Sequence, residues 1–248
     1  MPLGILRAAK LILPALLFSI AINEQASAQS INLEFGEGGS ATARIVQLVV
    51  LLTVVTLAPS ILLMVTSFAR IVIVLSLLRT ALGTQGAPPN SVMISLALFL
   101  TFFIMQPTLE DAYDSGIAPL IDEQITEDQA LDRTLAPVKA FMVRHVREKD
   151  VDLFRKISGV GPIANSADIP LRVIVPAFMI SELKRAFEIG FLIFIPFLII
   201  DMVVASVLMS MGMMMLPPVM ISLPFKLIFF VLVDGWYLVV GSLVQSFG

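Results

Sequence analysis

Cysteine is absent from the 248-residue chain, and histidine occurs once, at His145. The first absence excludes disulfides, thiolate metal sites and a cysteine nucleophile. The second removes most catalytic triads and every two-histidine metal site. Charge is scarce too: 14% of residues are Asp, Glu, Lys or Arg, against about a quarter in soluble domains. A formal net charge of −3 gives no electrostatic footing on nucleic acid. No phosphate-binding glycine loop occurs, no internal repeat is visible, and no nucleophile, base and metal constellation can be assembled. The sequence therefore argues against an enzyme, and no cofactor or metal is expected. What is present is apolar: 58% of residues are hydrophobic and the mean hydropathy is +0.96. The expected class is an all-α membrane protein, with long kinked hydrophobic helices arranged as hairpins and a helical periplasmic segment.

The N-terminus reads as a signal peptide over residues 1–28. Arg7 and Lys10 form a basic region, 11–22 an apolar one, and Ala26-Ser27-Ala28 a small-residue cleavage site. An apolar core of about 12 residues falls short of the roughly 20 that a span needs. Cleavage after Ala28 would leave Gln29 at the outer face of an inner membrane. Residues 29–44 then form a short periplasmic segment, rich in Gly and Ser over 36–40.

A first hydrophobic hairpin is expected over 45–105. Its run 45–65 is long enough to cross a bilayer, with a kink at Pro59. The run 71–78, between Arg70 and Arg79, is too short to span and should extend the first helix or pack on protein. "GTQGAPPN" (83–90) is a turn, and 91–105 a second helix that ends before Pro107. Orientation follows from the short loops: Arg70 and Arg79 belong on the cytoplasmic side.

Residues 106–185 differ in kind, with 13 acidic and 10 basic residues against six of each elsewhere. This polar periplasmic segment should hold two or three short helices. Thr126 and Gln129 have capping-box spacing, Pro137 suits a first helical position, and "SGVGP" (158–162) breaks the run. His145, on an amphipathic stretch, reads as a surface or interface residue. A helix should start at Val175 and Pro176, with Glu182, Lys184 and Arg185 as an interfacial collar.

A second hydrophobic hairpin, 186–248, follows. Its runs are 189–209, kinked at Pro196, and 219–245. They carry Asp201, Lys226 and Asp234, and a charge at mid-bilayer costs at least about 2.5–3.5 kcal/mol. Those charges must face a partner, a water-filled cavity or another subunit. Glu182 is expected to pair, within or between subunits, with Lys226 or Arg147.

The turn between the two runs holds Met209, Met211, Met213, Met214 and Met215, with Gly212 among them and Pro217-Pro218 behind. Clustered methionines are most often core filling, and Met-x-Met-x-Met also has the spacing of a soft copper(I) site. Gly212 lets the turn bend, and the two prolines stop a helix from running on.

"PAFMISELKRAFEIGF" (176–191) and "MMMLPPVMISLPFKLIFFVLVDGW" (213–236) resemble the FliP family of flagellar type III export-gate subunits. "FARIVIVLSLLRTALGTQGAPPN" (68–90) and "FMVRHVREKDVDLF" (141–154) fit the same pattern. The resemblance covers nearly all of the chain after residue 28. It implies five copies assembled with two other small membrane subunits, FliQ and FliR, into a closed helical gate at the base of the flagellar rod, largely raised above the bilayer. Unfolded rod, hook and filament proteins would pass through the centre, with membrane lipid around part of the assembly. A methionine loop from each copy would narrow the channel, since a thioether chain with three rotatable bonds can seal against water and reseal around any sequence. The length of the polar segment and the signal peptide resemble the flagellar branch more than the injectisome branch. A small proton-coupled transporter using Asp201 and Asp234 is the alternative from another class.

Overall fold

The computed structural model describes residues 41–163, 165–213 and 215–248. The expected signal peptide, the 36–40 stretch and Met214 lie outside them. The chain divides into two compact units, Met1–Thr53 and Val54–Gly248. Of the first, only 41–53 is described, as the opening turns of α1 (Ala41–Met64), which is helical through Pro59. Its side chains over 45–57 are all exposed. Among the described residues every regular element is helical, as an apolar chain that must satisfy its own backbone requires.

The core of the second unit is built on two helices. In α2 (Phe68–Leu82), Ile71, Val74, Leu75 and Leu78 recur every three or four residues and are completely buried. They pack along α7 (Leu171–Ser210), whose Val173, Ile174, Ala177, Phe178 and Ala186 are equally enclosed. Gly190 permits this closeness, because a Cβ there would drive into the Leu77 side chain. The run 71–78 thus packs on protein. It is a helix of its own, separated from α1 by the bend at 65–67.

Several expected helix boundaries move. α3 (Asn90–Ala112) carries Pro107 inside it instead of stopping before it, and continues through a π-helical turn (Tyr113–Ile117) into α4 (Ala118–Ile121). Proline removes one N–H and crowds the carbonyl four residues back, a local cost that the packing of α3 on α2 and on α5 (Glu127–His145) outweighs. Gly116 in the π turn lies so close to α5 that a Cβ would meet the Ala130 carbonyl at 2.8 Å. The capping box at Thr126 and Gln129 is present, but Pro137 falls inside α5, not at its start. α6 (Glu148–Ile157) ends in a Schellman turn, with Gly159 at φ +65° and Val160 N–H donating to Arg155 O at 3.1 Å.

α7 starts at Leu171 behind Pro170 and not at Val175; it runs unbroken for 40 residues with both Pro176 and Pro196 inside. The last apolar run is not one helix. α8 (Pro218–Leu232) and α9 (Gly235–Gln245) meet at a 63° bend. Among the described residues two helical stretches, Asn90–Ile121 and Leu171–Ser210, are long and apolar enough to cross a membrane, or three if the bent pair counts as one crossing.

Candidate functional site: a methionine hairpin and three polar nodes

The hairpin between α7 and α8 is a defined turn. Gly212 takes φ +75°; its N–H donates to Met209 O at 3.1 Å, and the Met213 N–H reaches Leu208 O at 3.0 Å. Those two bonds and the left-handed glycine make a Schellman cap, which closes the carbonyls left open at the end of α7. Pro217 then holds an extended conformation and Pro218 occupies the first turn of α8, where a missing N–H costs nothing. Around this turn Met209, Met211 and Met213 are all exposed, and Met215 is 99% exposed. The described methionines of the loop are therefore not core. No structural statement attaches to Met214.

About two helical turns away, the first polar node joins α2, α7 and α8. Lys226, almost wholly buried, puts Nζ 2.7 Å from Asp201 Oδ2 and donates to Ala81 O at 3.1 Å. The latter is a carbonyl in the last turn of α2, where the helix dipole favours a cation. Ser222 Oγ donates to Asp201 Oδ1 at 2.5 Å. Asp201 and Lys226, expected to need a partner, find each other within one chain. Asp234 is exposed, with φ +50° at the bend between α8 and α9, and has no side-chain partner among the described residues.

The second node corrects two expectations. Glu182 pairs with neither Lys226 nor Arg147: its carboxylate receives Arg70 Nε at 2.8 Å and Nη2 at 2.5 Å, and both side chains are fully buried. Lys226 is paired with Asp201, and Arg147 with Asp150. Arg70 is not a loop charge but a fully buried residue of α2. Its Nη1 donates to the carbonyl and hydroxyl oxygens of Ser246 at 2.9 and 2.8 Å, and its guanidinium lies 3.6 Å from the centre of the Phe247 ring. His145 is likewise buried beside this node, its Nδ1 2.8 Å from Phe141 O and its Nε2 3.3 Å from Phe247 O.

The third node fastens α6 to α7. Arg147 pairs with Asp150 at 2.6 Å, its backbone N–H donates to Ser181 Oγ at 3.0 Å, and Ser181 Oγ donates to Asp150 Oδ2 at 2.6 Å. Burial pushes the Asp150 carboxyl up, but the Ser181 hydroxyl and the Arg147 guanidinium together outweigh it and hold the group below its ordinary value. Asp152, flanked by Lys156 and Arg155, is lowered as well.

Arg70 sits at the edge of an apolar run, where sequence alone reads it as a loop charge. A lone arginine followed by eight apolar or small residues was the available signal. Ser246 and Phe247 gave none, since what makes them polar anchors is a contact 176 positions away. Among the described residues no three His, Asp or Glu groups converge on one point. In the three nodes charges act as pairs that fasten helices, and the described methionines of the hairpin face outward.

A sequence model described as the FliP family matches residues 51–243. The flagellar biosynthetic protein FliP of Caulobacter vibrioides is 63% identical over 223 residues, covering 90% of this chain and 84% of that one. The protein of the same name from Bacillus subtilis is 61% identical over 202 residues, covering 82% and 91%. That of Aquifex aeolicus is 51% identical over 219 residues, covering 88% and 91%.

Proposed function

This chain belongs to the FliP family of flagellar biosynthetic proteins, and from that premise we propose that it is a core subunit of the flagellar protein export gate. Five copies, with FliQ and FliR, would surround a channel for unfolded rod, hook and filament proteins, with membrane lipid around part of the assembly. The assembly would sit at the basal body in the inner membrane, and residues 1–28 would be removed on delivery. The injectisome reading is weaker, because the relatives described above are flagellar by name.

The observation that carries the proposal is the combination of a rigidly capped turn with exposed methionines on it. A chain that needed sulfur only for packing would turn those side chains inward. Thioether chains displayed on a fixed backbone can change rotamer without moving the helices that carry them. Brought together around an axis by several copies, they would close against water and yield to a passing polypeptide. The polar nodes would keep α2, α7 and α8 in register while this happens. Chemistry is not asked of the chain, and Asp201, held by Lys226 and Ser222, is poorly suited to be a transporter's coupling acid.

The absence of cysteine makes a direct test clean. Single cysteines at 209, 211, 213 and 215 should cross-link neighbouring copies, and should capture an export substrate arrested in transit. A cysteine in place of exposed Ile157 on α6 should capture no substrate. Replacing Met209, Met211, Met213 and Met215 together by alanine should raise ion leakage through the assembled complex. Hairpin cysteines that meet neither a neighbouring copy nor a substrate would overturn the proposal.

A further inference from the structure

α9 is anchored at both ends, and between them Val239, Val240 and Val244 pack half-buried against the core while the outer side stays exposed. Within it only Gly235 and Leu243 are buried. Tyr237 and Leu238 are exposed, and an apolar cleft bounded by Ile189, Leu192 and Ile193 on one side and Leu238 and Val239 on the other separates it from α7. At its start lies the 63° bend, with Asp234 in the left-handed region and Gly235 pressed against the Phe230 ring. At its other end Ser246 and Phe247 grip α2 and α5 together. Ser246 offers two oxygens to Arg70, and the Phe247 ring lies under the Arg70 guanidinium and stacks with Phe141 at 6.1 Å. The Phe247 carbonyl faces His145.

The two duties of Arg70 use different parts of its planar fork. Nε and Nη2 serve Glu182, while Nη1 serves Ser246. Losing the second set leaves the first intact, so the join between α2 and α7 does not depend on the join to α9. We infer that α9 is a detachable strap, hinged at Asp234 and latched by Ser246 and Phe247 into the Arg70–His145 pocket. It can open without unfolding the α2–α7 core. The hinge residue fits that use, because leaving the left-handed region relieves the backbone strain that a side chain meets there. The apolar cleft beside Leu238 and Val239 leaves α9 open toward α7 over part of its length.

Hydrogen exchange on the full-length protein in its detergent-extracted complex tests this. With Phe247→Ala, amides of 235–245 should exchange about tenfold faster or more, while those of 70–82 and 173–186 keep their native rates. Phe247→Tyr, which keeps the ring, should restore slow exchange in 235–245. Ser246→Ala, a milder change that keeps the carbonyl, should give a smaller rise confined to the same segment, and it serves if Phe247→Ala does not accumulate. Equal acceleration of all three segments would make Ser246 and Phe247 ordinary core residues and overturn the inference. Unchanged exchange in 235–245 would overturn it as well.

Discussion

Removing the Glu182 carboxylate while Arg70 stays would strand a fully buried guanidinium, at a cost of about 3–5 kcal/mol. The expected result for Glu182→Gln is a sharp fall in accumulated protein and in its thermal midpoint. Changing both partners, Arg70→Met with Glu182→Leu, removes the desolvated charges and should recover much of that loss, although Ser246 then lacks its donor. Thermal unfolding of the two variants side by side decides this; equal loss would show that the pair matters for more than neutralising buried charge. Asp150 gives a pH dependence. Its folded value lies below the ordinary carboxylate value, so its stabilising contribution is complete above the unfolded range, near pH 4. That contribution is lost as pH falls through the folded value. Acid titration monitored at α6 should show this loss, and Asp150→Asn should flatten it while lowering stability at neutral pH. The need of Asp201 and Lys226 for partners could be read from the sequence, because mid-helix charges demand them. Which partner each takes could not, because pairing is set by how α2, α7 and α8 are rotated about their axes, and that rotation comes from the packing of uncharged side chains.

Two glycines separate helix propensity from packing. Gly190→Ala should gain up to about 1 kcal/mol in helix propensity, yet the new methyl meets Leu77 Cβ and Cγ at 3.2 Å and Cδ1 nearer still. Overpacking of that kind costs about 1–3 kcal/mol, so a net destabilisation centred on the α2–α7 contact is expected in thermal unfolding. Gly212→Ala meets no atom within 4 Å, and its penalty is all conformational, about 1–2 kcal/mol for leaving a side chain at φ +75°. Faster amide exchange at 208–213, with α2 unaffected, would identify it. The stop signals built on glycine were legible: the turn after Leu82, the end of α6 and the cap of α7 all fall where Gly83, Gly159 and Gly212 predict. Three of the signals built on proline misled, although Pro217-Pro218 did mark the start of α8. Pro107, Pro137 and Pro176 all lie inside helices, because a single lost hydrogen bond is small beside the packing that continues on either side of it. The break at Asp234 coincides with an Asp-Gly pair, a turn signal that the apolar residues on either side of it masked.

Much of the chain's large apolar surface faces outward. Phe187, Phe191, Leu192, Leu198, Ile199, Met202 and Val203 on α7 are all exposed, as are Phe225, Ile228, Val231 and Leu232 on α8. Patches of this extent mark contact with lipid or protein, so the chain expressed by itself without detergent should precipitate, and size-exclusion chromatography would show it. Composition made the all-helical membrane class readable, since little else can carry so few charges. The number of crossings was less readable, because hydropathy does not distinguish lipid from a neighbouring subunit. α7 adds a mechanical consequence. From Glu182, clamped by Arg70, to Met211 at the hairpin, the helix rises about 40 Å at 1.5 Å per residue. A tilt of about 5° at the clamped base would therefore carry the tip sideways by about 4 Å, close to the width of a methionine side chain. A small adjustment among buried charges would arrive at the far end as the difference between touching and not touching.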